Sequence, residues 1–277
     1  MLRRCPLPEP VLFVWVLAAL LAGSGCARPA AKTAAQAAPA PAAVPEGTRL
    51  LRAAAERVGT DVLKNLQDLT VTHSHRISSQ MGASEAEGIS RFVLPDRLCN
   101  ENETRAGLVK QVTDRKEAWI VFMGRVRTIP EAQLADMRKG LRTRYGALVI
   151  LRDALRGQVE GEHIGPRVFE GYDAEEVLVR YGETEYRLFI SSGGPEVLGV
   201  RWQGSFMEGP TEITEIFGDY REDGGLRLPH SLEQRAGGKT VSRYAYTSYA
   251  PNQGVSEDLF VRPDVGEAAP PRMGVME

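Results

Sequence analysis

The chain has 277 residues and a formal net charge of −2, with 34 basic side chains balanced by 36 acidic ones. That balance excludes the strongly basic footprint of a nucleic-acid-binding protein, while 43% hydrophobic and 25% charged residues are the composition of an ordinary globular protein. Three cysteines (Cys5, Cys26 and Cys99) leave no room for a disulfide framework or a C-x-x-C redox site.

The leader comes first. Arg3 and Arg4 precede "VLFVWVLAALLA", an apolar run from Val11 to Ala22. A membrane-spanning helix needs about 20 apolar residues, whereas the core of an export signal needs about 7–15. The run is therefore read as an export signal over residues 1–25. It ends in "GSGC", and small residues before Cys26 resemble a bacterial lipoprotein signal. Gly23 stands where that pattern prefers an aliphatic residue. The resemblance implies a diacylated Cys26 as the first mature residue and a membrane attachment through that lipid. Ala27, where Asp would retain the protein in the inner membrane, implies the periplasmic side of the outer membrane. Ordinary cleavage, leaving a soluble periplasmic protein, is the alternative.

Residues 26–46 are almost entirely Ala and Pro, a semi-extended tether that cannot bury a core. The folded domain is expected over 47–263, followed by a disordered tail over 264–277. It opens with a helix carrying Leu50, Leu51, Ala54, Val58, Leu63 and Leu66 at helical spacing, divided at Gly59. The period then becomes two: in "LTVTHSHRI" the residues Leu69, Val71, His73, His75 and Ile77 share one face. Strands are expected at 89–94, 108–112 and 118–122. Pro130 and Glu131 then start one long helix to Arg156, with Leu134, Met137, Leu141, Tyr145, Leu148 and Leu155 along one side. Six more strands follow at 177–181, 186–191, 197–203, 211–217, 226–233 and 240–249. The turn signals "GET", "SSGGPE", "EGP", "REDGG" and "RAGGK" separate them. Connections this short favour antiparallel pairing, since parallel strands need a crossover of about a dozen residues or more.

"LLRAAAERVGTDVLKNLQDLTV", "TDRKEAWIVFMG", "FGDYREDGGLRLPHSLEQ" and "SEDLFVRP" together resemble the LolA/LolB superfamily of bacterial lipoprotein carriers and receptors. The resemblance implies an α+β fold, a curved antiparallel sheet in an open half-barrel whose concave side is covered by helices. It also implies an apolar space between the two that holds acyl chains of a lipid or lipoprotein. No carrier residue matches a position here closely enough to be transferred.

Candidate residues follow from the strand faces. His73 and His75 form an H-x-H pair whose metal reading needs a third ligand, with only His163 and His230 remaining besides carboxylates. They are read as polar spots of a ligand cavity, and Phe189, Trp202, Phe206, Tyr244 and Tyr246 as core residues or its apolar lining. "HSLEQ" (residues 230–234) is one residue short of H-x-x-E-H, but it alternates as a strand, and His230 and Glu233 would face opposite ways. "GGKT" resembles the end of a P-loop, yet Glu233 stands where that loop needs Gly and a strand follows, so it reads as a hairpin turn. No catalytic constellation, metal site or cofactor motif is visible. The expected function is non-catalytic binding of a hydrophobic group. The alternatives are an interaction or sensor module with a filled core, of the kind that can accompany a zinc peptidase, and, more weakly, an enzyme using His73 and His75.

Overall fold

The structure is a computed structural model that describes residues 43–264 apart from 80, 81, 207 and 208. The segments expected to be an export signal, most of the expected tether, Cys26 and the expected tail after 264 lie outside the described residues.

Helix α1 (Glu46–Lys64) leads into six strands, β1 (Asp68–Ser79), β2 (Gly82–Val93), β3 (Arg97–Thr104), β4 (Gly107–Thr113), β5 (Ala118–Phe122) and β6 (Arg125–Thr128). Helix α2 (Glu131–Leu155) intervenes before seven more, β7 (Gly161–Phe169), β8 (Tyr172–Tyr181), β9 (Thr184–Ser191), β10 (Val197–Phe206), β11 (Gly209–Asp223), β12 (Leu226–Ala236) and β13 (Lys239–Pro251). All pair antiparallel in one sheet, ordered β6-β5-β4-β3-β2-β1-β13-β12-β11-β10-β9-β8-β7. Two meanders thus meet at a single seam, β1 against β13, where Val71 faces Tyr249, His73 faces Tyr246 and His75 faces Tyr244. The outer strands β6 and β7 do not pair with each other, so the sheet is curved and open. Because β6 and β7 lie at opposite ends of the order, α2 has to cross the face of the sheet to connect them.

Both helices lie on the concave face. Leu51, Ala54, Ala55 and Val58 of α1 pack with Val177, Val179, Leu226 and Leu228 from the second meander, and Leu148–Leu151 of α2 fill the centre of the same core. The start of α1 presses so closely on β7 that a Cβ at Gly47 would lie 2.4 Å from the Gly161 carbonyl oxygen. There the Gly161 amide donates to the Thr48 hydroxyl at 3.0 Å. Gly59 divides α1 as its position suggests, with φ 132° inside the helix.

The long helix is a correction: α2 is not continuous. Arg144 is extended (φ −53°, ψ 149°), and Tyr145, Gly146 and Ala147 are left-handed with φ of 55°, 78° and 63°. The break separates residues 131–143, amphipathic and half-covered, from 148–155, whose Leu148–Leu151 and Ala154 are fully buried. The second segment is buried nearly all round, with even Arg152 and Asp153 covered, and the chain turns between the two. Pro229 and Tyr220 press on Gly146 from β12 and β11, where a Cβ would come within 3.1 Å and 3.2 Å of them.

The convex face carries its own small cores. Cys99, Val112, Trp119 and Val126 are covered by a C-terminal turn (Glu257–Phe260) through Phe260. Arg97 holds that turn with two hydrogen bonds to Glu257 at 2.9 and 2.8 Å, and its guanidinium lies 4.0 Å over the Phe260 ring.

Candidate functional site

The concave face is not filled throughout. Beneath residues 131–143 a cavity of about 740 Å³ extends across both meanders, within the about 300–1,000 Å³ of small-molecule sites. Met137 and Leu141 of α2 form its roof, Leu98 and Ile120 line the first meander, and Trp202 and Ile213 the second. The roof is tied to both sides: the Gln111 amide reaches the Met137 sulfur at 3.9 Å, and the Tyr186 hydroxyl donates to the Lys139 carbonyl at 3.2 Å. Phe206 and Ile77, 38% and 42% exposed, stand at its rim.

Period-two alternation delivers the polar groups of the lining. On β1 it points His73 and His75 inward beside Leu69 and Val71, leaving Thr72 and Ser74 outside. His75 stacks on its cross-strand neighbour Tyr244 with centroids 5.2 Å apart, and His73 lies 5.6 Å from His75. His73 is held between Asn102 (3.3 Å) and Ser90 (3.4 Å). Burial, and then the charge of Arg144 and the neighbouring His75, bring its pKa down to about 4, against the pull of the Asn102 hydrogen bond. Burial and Arg144 lower His75 as well. Both rings are therefore neutral at neutral pH.

Two charged residues complete the floor. Arg144 is presented by the break in α2; the residue is half-buried and lines the cavity, with its guanidinium carbon 6.0 Å from the centre of the Tyr244 ring. Desolvation disfavours its charge, but the surrounding Tyr145, Tyr244, Tyr246 and Glu215 more than compensate, and it stays ionised. Glu215 sits between Ile213 and Phe217 on the inward face of β11, only 2% exposed. The Gln234 amide donates to its Oε1 at 3.3 Å, while Oε2 has no partner. Burial raises its carboxyl to about 7 in spite of the Thr143 hydroxyl and the Arg144 charge.

No protein-family model and no curated protein sequence matches the chain. Solved structures do. A DUF1329 family protein from Desulfovibrio piger aligns with a TM-score of 0.51 at 11% identity, over 78% of this chain and 95% of its own. A LolA superfamily protein from Nitrosomonas europaea aligns with a TM-score of 0.52 at 10% identity, over 78% of this chain and 97% of its own. The chain has the LolA-like fold. At such identities the likeness speaks for the fold alone.

Within this LolA-like fold the residues singled out from the sequence divide. His73, His75, Trp202, Tyr244 and Phe206 meet at the cavity. Tyr246 lies just behind it, edge-on to Tyr145 at 5.4 Å in the main core. Phe189 is elsewhere: it points to the convex face and stacks on Phe169 at 4.2 Å, because Tyr186, Leu188 and Ile190 take the inward positions of β9. Neither remaining histidine joins the H-x-H pair. His163 contacts Glu175 at 2.7 Å on the edge pair β7–β8, and His230 Nδ1 lies 2.8 Å from the Tyr246 carbonyl. Among the described residues no three His, Cys, Asp or Glu gather as a metal site. "HSLEQ" is a strand, with His230 buried inside and Glu233 outside, accepting from Arg235, Thr240 and Arg243. "GGKT" is the β12–β13 turn, with φ of 55° and 79° at Gly237 and Gly238. Arg144 and Glu215 were missed, although Glu215 at period two from Ile213 and Phe217 carried a signal.

Proposed function

We propose that this protein is a non-catalytic binding protein of the cell envelope that holds a hydrophobic group, the acyl chains of a lipid or lipoprotein, between sheet and helix. The observation that carries this reading is the open space of about 740 Å³ under α2, beside a core of buried apolar side chains. Transfer of an acyl chain into it removes apolar surface from water, contributing roughly 0.8 kcal/mol for each buried CH₂. Among the described residues no helix is long and apolar enough to cross a membrane. Attachment would come instead from a diacylated Cys26, with residues 27–46 as the tether. An interaction module with a filled core is less well supported, since the cavity would then serve nothing.

The test is mass spectrometry of the organic extract from protein beginning at Ala43 and purified without detergent. Acyl species in near-stoichiometric amount are expected, and they should be displaced by a fluorescent fatty acid. Protein free of lipid that also fails to bind that probe would sink the reading. Lipidation is tested separately by labelling cells with radioactive palmitate. The full chain should incorporate label and Cys26→Ser should not; unlabelled wild type would remove the anchor.

A further inference from the structure

The floor of the cavity is not built for an acyl chain alone. An arginine side chain carries five N–H donors and no acceptor, and hydrocarbon offers them nothing. Arg144 turns its guanidinium into this space, and among the described residues no carboxylate lies within ion-pairing distance of it. His73, His75 and Glu215 line the same space as Arg144. Two further atoms there are buried without a hydrogen-bond partner, His75 Nδ1 and Glu215 Oε2. A buried polar atom left unpaired costs about 1–3 kcal/mol. Two unsatisfied atoms beside the Arg144 cation make this wall a polar socket in search of an occupant.

We propose, building on the acyl-binding reading, that the ligand carries an acidic head, a carboxylate or phosphate, which Arg144 binds at the floor while the tail lies along Met137, Leu141, Trp202 and Ile213. The sign of the head follows from the other charges in the lining. Arg127 adds a second cation, and Asp136 is already neutralised by Lys139 at 2.8 Å. Glu215, whose carboxyl is raised to about 7, keeps its proton below neutrality. In that form it donates a hydrogen bond through the unpartnered oxygen rather than repelling an anion. A neutral His75 with its proton on Nδ1 supplies a second donor. The break in α2 has a role here, because it is what turns Arg144 inward.

Calorimetric titration of the mature chain at pH 6, where Glu215 keeps its proton, with hexadecanoic acid, its methyl ester, monohexadecyl phosphate and hexadecylamine tests this. The acid or the phosphate should bind about tenfold or more tighter than the ester, the range of a hydrogen bond to a charged group. Whichever of the two binds tighter identifies the head. Arg144→Gln should abolish the preference, so that acid and ester bind alike, and Arg144→Lys should keep part of it. Equal binding of acid and ester, a preference that survives Arg144→Gln, or a tighter amine would overturn the acidic head while leaving acyl binding standing. If no compound binds, the acyl reading itself fails. Should Arg144→Gln not fold by circular dichroism, the wild-type comparison and Arg144→Lys decide.

Discussion

His73 and Glu215 illustrate how one cavity imposes opposite demands on two side chains. Burial lowers His73 to about 4 from 6.5. Between those values the unfolded chain takes up a proton that the folded protein refuses, so stability falls as pH falls from 7 toward 4, by about 3 kcal/mol in all. Glu215 is raised from 4.5 to about 7. Between those values the folded protein keeps a proton that the unfolded chain has released, so stability falls as pH rises, again by about 3 kcal/mol. The two slopes oppose each other from about pH 4.5 to 6.5, and single variants separate them. Relative to wild type, His73→Asn should gain stability on acidification from pH 7.5 to 4.5, and Glu215→Gln on going from pH 4.5 to 7.5. Urea unfolding at the two pH values measures both; a difference from wild type that ignores pH would refute the assignment. Cys99 is simpler. Fully buried beneath the C-terminal turn, its thiol is pushed up to about 11 by desolvation. Reactivity needs the thiolate, so an aromatic disulfide reagent should leave it untouched until urea unfolds the protein. Rapid labelling of the native chain would show that the turn opens.

At the scale of elements, the broken helix sets both the roof of the cavity and the position of Arg144. Gly146 is left-handed against Pro229 and Tyr220. Gly146→Ala should therefore cost about 1–2 kcal/mol for the backbone alone, read as a lowered urea midpoint at unchanged slope. The roof can be changed without that penalty. Gly140 sits above Trp202, with its Cβ position 3.9 Å from the indole. Gly140→Leu should raise helix propensity by up to about 1 kcal/mol and fill part of the cavity. The expected result is weaker fatty-acid binding by fluorescence titration with stability retained; undiminished binding would move the site elsewhere. The strands were legible where alternation was clean, as in "LTVTHSHRI" and from Val177 to Tyr249. Three were not. "RLCNENET" is polar because Asn100 and Asn102 face the cavity. Strand β7 carries Gly165 and Pro166 as a bulged edge, and β6 is only four residues long. Nor was the break legible, because Leu141, Tyr145 and Leu148 keep helical spacing across it. Its cause is the contact with β11 and β12, which no local window contains.

At the scale of the molecule, the two meanders are joined along one seam, and both ends of the folded region close it. Asn252 Oδ1 accepts from the Gln67 amide at 2.8 Å, and the Asp68 carboxylate accepts from the amides of Gln253 at 2.8 Å and Gly254 at 3.2 Å. The cavity straddles that seam, since Leu98 and Ile120 come from one meander and Trp202 and Ile213 from the other. An acyl chain lying across it would be held by both halves and lost when either unfolds. Binding to the folded state alone stabilises it by about 2.7 kcal/mol at a free ligand concentration of one hundred times Kd. Protein stripped of lipid by organic extraction should therefore melt lower than protein as isolated, and added fatty acid should raise Tm progressively with concentration. A Tm that stays fixed while the probe demonstrably binds would mean that the ligand has equal affinity for the unfolded chain, which a cavity assembled from both meanders does not allow. A rising Tm in wild type with none in Gly140→Leu would tie the stabilisation to the space beneath residues 131–143, and so to the seam it spans.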